Sequence, residues 1–82
     1  MGGMEKLFAQ LMSGQSDGNI RFDDLWKILV QLGFEERVRG SHHVFTRRDV
    51  YEIIVLQNVS GKAKIYQVKQ VRNLIIKYRL LP

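Results

Sequence analysis

The residues best suited to proton transfer lie in one short stretch, Gly40-Ser41-His42-His43-Val44-Phe45. Both histidines of the 82-residue chain are here, side by side. Imidazole ordinarily titrates near neutrality, so acid–base chemistry at physiological pH draws most simply on this pair. Arg37, Arg39, Arg47 and Arg48 stand around it, a basic frame that suits an anionic ligand. Histidines on strands more often serve packing or solvation than chemistry, so the stretch is a candidate site.

A neutral imidazole beside a phosphate-binding frame is enough for one reaction. It can take the proton from a ribose 2′-hydroxyl, which then attacks the adjacent phosphorus, while Arg and Lys stabilise the charge developing on the phosphate. The nucleophile belongs to the RNA, so the chemistry needs neither metal nor cofactor, and DNA is not a substrate. Other chemistries find little support. There is no cysteine, no HExxH and no Walker loop, and Asp49 and Glu52 are too few and too scattered for a carboxylate-held metal. Adjacent histidines on a strand point to opposite faces and do not make a zinc site.

Alternation also separates the two imidazoles. His42 shares a face with Val44, and His43 shares one with Phe45. If Phe45 packs inward, His42 faces the open side as the better base and His43 takes a structural or orienting role. If Val44 is the inward residue, the roles exchange.

The elements around this stretch can be read from periodicity. Met4, Leu7, Phe8 and Leu11 recur at helical spacing, predicting a short amphipathic helix over 4–13. A loop follows, then a helix from Phe22 to Leu32, with Asp23 and Asp24 in its first turn and Gly33 as its stop. Its apolar residues, including Trp26 and Val30, are expected to face the core. Strands are expected at 34–39, 42–47 and 51–57, joined by tight turns at Gly40-Ser41 and Arg48-Asp49. Trp26 and Tyr51 read as packing residues, though an outward Tyr51 could stack a base. A last helix is expected from Tyr66 to Leu80, with Val68, Val71, Leu74, Ile75 and Tyr78 buried and Lys69, Arg72 and Arg79 on an adjacent stripe. The result is an α+β domain spanning 1–82, with a three-stranded antiparallel sheet and helices on one of its faces. Gly40 and Gly61 read as turn residues rather than phosphate cradles.

The net charge of +5 is unevenly distributed. Residues 58–82 hold Lys62, Lys64, Lys69, Arg72, Lys77 and Arg79 and no acid, which favours a polyanionic partner, nucleic acid first. No run of about 18 apolar residues is available for a membrane helix, and the N-terminus has no signal-peptide pattern. The absence of cysteine is compatible with the cytoplasm.

From Leu32-Gly33-Phe34 through Gly40-Ser41-His42-His43-Val44-Phe45 to Ser60-Gly61-Lys62, Lys64 and the closing helix, the chain resembles the HicA family of bacterial toxins. The resemblance covers roughly residues 22–80; residues 1–18, an N-terminal helix and loop, are an addition to that core. It implies a double-stranded-RNA-binding-domain-like α-β-β-β-α fold, cleavage of messenger RNA that arrests translation, and neutralisation by a HicB-like antitoxin. It places the catalytic histidine on His42, with Ser41 and His43 as supporting candidates. Arg39, Arg47, Lys62, Lys64, Lys69 and Arg72 are then the candidate RNA contacts. Leu56-Gln57-Asn58-Val59 and Lys64-Ile65-Tyr66-Gln67 depart from the family pattern, leaving His43 or Lys62 to protonate the leaving 5′-oxygen. Two rival readings use the same residues: an RNA-binding module without catalysis, and a protein-interaction domain with helix 4–13 as its docking element.

Overall fold

A computed structural model describes residues 3–82. Helix α1 (Gly3–Ser13) is followed by a single 3₁₀ turn at Asp17–Asn19 and helix α2 (Phe22–Gln31). Strands β1 (Glu35–Arg39), β2 (His42–Arg47) and β3 (Val50–Gln57) form an antiparallel meander, and helix α3 (Ile65–Tyr78) closes the chain. The α+β class and the order of elements are as expected. None of the helices among the described residues is long and apolar enough to cross a membrane.

The core lies between the helices and one face of the sheet. Phe45, Ile54 and Leu56 from that face meet Leu25, Ile28 and Leu29 of α2, Val68 and Val71 of α3, and Leu11 of α1, all essentially inaccessible to solvent. Helix α1, too short to be stable alone, is part of this core, with Leu7, Phe8 and Met12 packed against it. The opposite sheet face is open, with Tyr51 92% and Ile53 59% exposed. Val30, expected inside, is also exposed, because the arc of α2 that meets the core ends at Ile28 and Leu29.

Helices α2 and α3 end in the same backbone motif. Gly33 takes a left-handed conformation, and the N–H of buried Phe34 reaches back to the Leu29 carbonyl. In α3 the left-handed residue is Arg79, and buried Leu80 donates to the Ile75 carbonyl. This helix therefore stops two residues before the expected Leu80.

Strand β3 is irregular in a way that determines the site. Phe45 pairs with Ile54 but Arg47 pairs with Val50, so Tyr51, Glu52 and Ile53 span the interval that Thr46 alone spans on β2. Such a bulge frees backbone groups that need partners. The N–H of Tyr51 donates to the Tyr78 hydroxyl, which in turn donates to Glu52; Lys77 donates to the other Glu52 oxygen. These two donors, Lys77 first, hold the Glu52 carboxyl below its ordinary range. Further along, the buried amide of Gln67 ties α3 to the sheet. It donates to the Val55 carbonyl and accepts from the N–H of Lys64, the residue preceding α3.

Candidate nucleic-acid interface

Gly40 and Ser41 turn β1 into β2, with Gly40 at positive φ where a side chain would be strained. The turn delivers Ser41 to an exposed tip and His42 to the first position of β2. There His42 lies opposite Arg39 of β1 and Gln57 of β3, so Arg39, His42 and Gln57 form one row across the sheet. Because Phe45 points inward, this row is on the open face, and His42 is exposed. The side-chain amide of Gln57 donates to His42 Nε2 at 3.2 Å.

His43 has a different environment. Its ring lies against Phe22, with centroids 4.7 Å apart, and its Nδ1 is 2.6 Å from a Glu36 oxygen. The other Glu36 oxygen accepts from the indole N–H of Trp26 at 2.9 Å. These donors, Trp26 foremost, hold the Glu36 carboxyl below its ordinary range. His43 is therefore three-quarters buried on the side away from His42. The two imidazoles thus lie on opposite faces of the sheet, His42 on the open face and His43 at the core edge.

The basic residues divide into three groups. Lys62, Lys64 and Lys69 line one groove at the start of α3, together with Ile65 and Tyr66. Arg39 lies with Arg37, Val44 and Thr46 on the open sheet face. Arg47 is turned to Asp49, with 2.9 Å between Nε and the carboxylate. Arg72, expected to contact RNA, instead makes two parallel hydrogen bonds to Asp17 at 2.8 and 2.9 Å and a third to the Leu11 carbonyl. It is largely buried and fixes the segment after α1 onto α3. The pair lowers the Asp17 carboxyl and raises the guanidinium, the shared hydrogen bonds being the main cause of both. With Lys77 on Glu52 as well, the acid-free C-terminal third does not present a continuous basic stripe. Acids earlier in the chain fold back onto it.

Lys62 and Lys64 owe their position to a second tight turn. Ser60 and Gly61 both adopt positive φ, and Val59 and Lys62 exchange backbone hydrogen bonds across them. Gly61 also accepts from the N–H of Phe22 through its carbonyl, anchoring this hairpin to the start of α2. Ser60 and Gly61 thus form a two-residue hairpin turn, as the reading of Gly61 as a turn residue expects.

Between the open face and α3 lies a shallow depression of about 250 Å³, lined by His42, Ile53, Val55, Gln57, Tyr66 and Gln70 among others. That is below the usual size of a closed ligand pocket. Tyr66 borders both this depression and the lysine groove. Gln57, Glu36 and Tyr66 are the site residues that sequence reasoning did not single out.

No family model, curated protein or solved structure was found to match the chain.

Proposed function

We propose that this chain is a metal-independent endoribonuclease of HicA type, the toxin of a toxin–antitoxin pair, that cuts messenger RNA with His42 as general base. One observation carries the reading: His42 is exposed on the open sheet face, in a row with Arg39 and one side chain away from the groove of Lys62, Lys64 and Lys69. We read the α-β-β-β-α core as double-stranded-RNA-binding-domain-like, and its open face as the surface that engages RNA and a HicB-like antitoxin.

In this mechanism the Nε2 lone pair of His42, released by Gln57, takes the proton of a ribose 2′-hydroxyl. The 2′-oxygen bonds to phosphorus, the bond from phosphorus to the 5′-oxygen breaks, and a 2′,3′-cyclic phosphate is left. Arg39 and the lysines stabilise the added negative charge. Of the two groups expected to protonate the leaving oxygen, His43 is turned away, which leaves Lys62.

A second reading, an RNA-binding module without catalysis, is favoured by one contact. Gln57 occupies the lone pair that a base needs, and the His42 depression is lined by amides and apolar groups without a cation. Incubating the protein with RNA and with DNA of the same sequence, in EDTA, separates the two. Cleavage of RNA alone supports the nuclease; RNA that is bound but intact supports the module.

A further inference from the structure

The core of α3 is built by Gln67, Val68, Val71, Leu74 and Ile75. Tyr66, in the first turn, contributes nothing to it and is 64% exposed. Its ring nevertheless stands where three concavities meet. On one side is the groove of Lys62, Lys64 and Lys69; on another is the depression of His42, Val55 and Gln57. The third runs along α3 past Gln70 and Asn73 to Lys77. The ammonium of Lys64 lies 6.0 Å from the ring centroid, within cation–π range.

Single exposed aromatics are ordinary on protein surfaces. One placed between a cluster of cations and a candidate base has the composition of a single-strand nucleic-acid site, in which cations follow the phosphates and an aromatic ring stacks a base. We propose that Tyr66 is a nucleobase-stacking platform for single-stranded RNA. The phosphates lie along Lys62, Lys64 and Lys69, and the sugar next to the stacked base is presented to His42. Duplex RNA keeps its bases stacked on one another and cannot use the ring, so the site selects unpaired segments. The proposal rests on the RNA-directed reading of His42 and adds to it the form of RNA accepted and the residue that selects it.

The test uses a single-stranded 2′-O-methyl RNA carrying 2-aminopurine, which cannot be cut through its 2′-oxygen. Binding to wild type, Tyr66→Phe and Tyr66→Ala is followed by anisotropy and by 2-aminopurine fluorescence. Tyr66→Ala is expected to weaken binding about tenfold and abolish the quenching, while Tyr66→Phe stays within about twofold of wild type, as expected for one base stack. Unchanged affinity and quenching in Tyr66→Ala, with wild-type binding intact, overturns the stacking role and leaves the RNA reading standing. Equal loss in Tyr66→Phe also overturns it, since the hydroxyl and not the ring would then be responsible. Failure of wild type itself to bind RNA removes the underlying reading together with this one.

Discussion

The side-chain amide of Gln57 donates to Nε2 of His42 across 3.2 Å, two strands meeting through their side chains on the open sheet face. The contact aims the ring along the sheet and, in the proposed reaction, it occupies the lone pair that proton abstraction requires. On the proposed reading Gln57 is both the orienting group of His42 and the group that an RNA substrate displaces.

Gln57→Glu tests this relationship. A carboxylate at 57 stabilises the protonated ring, whereas a general base must be neutral to act. The rising limb of the cleavage rate against pH is expected to move to higher pH, the direction set by the added carboxylate. A profile identical to wild type would show that Gln57 does not govern His42.

Glu36 receives hydrogen bonds from both Trp26 and His43. Glu36→Ala leaves these half-buried donors without their acceptor and is expected to cost about 2 kcal/mol in denaturant unfolding. Cleavage by the folded fraction should change little, because this cluster faces away from His42. A collapse of activity at full folding would return His43 to the reaction.

The pair of Arg72 with Asp17 gives a prediction about pH. The Asp17 carboxyl is lowered in the folded chain, so the unfolded state binds its proton more readily. Stability from the pair is therefore complete above the ordinary aspartate range and is lost as pH falls through Asp17's lowered value. Asp17→Asn is expected to cost about 2–3 kcal/mol near neutrality, as for hydrogen bonds to a charged group. The difference from wild type should shrink at acid pH; a constant difference would contradict the assignment.

Arg79 sits at φ 55° where glycine is at home. Arg79→Gly is expected to raise the unfolding free energy by about 1 kcal/mol, through removal of left-handed strain at a helix stop. Chemical denaturation with an unchanged m-value is the check.

Helix α2 was legible to within one residue of its end, Gln31 against the expected Leu32, because Gly33 marks the stop, whereas the equivalent stop in α3 is written with Arg79, which carries no such signal. The row containing the site was hidden for another reason. Counting back from the Arg48-Asp49 turn pairs His42 with Val55, but the bulge at Tyr51–Ile53 slides the register by two residues and brings Gln57 instead. Such a slide preserves which side chains face outward, so the separation of His42 from His43 was readable while the partner of His42 was not. Arg72 was misread because its partner Asp17 is 55 residues away and is brought to it by the docking of α1. Charge along a helix does not reveal which acids fold back onto it.

The most direct measurement is end-group analysis of a long single-stranded RNA incubated in EDTA with wild type or His42→Ala. Wild type is expected to leave 2′,3′-cyclic phosphate ends, and His42→Ala to cut at a rate at least about 100-fold lower, the lower range for loss of a positioned base. Equal cleavage by both proteins, or no cleavage by wild type while RNA is bound, would contradict His42 as the base of a ribonuclease.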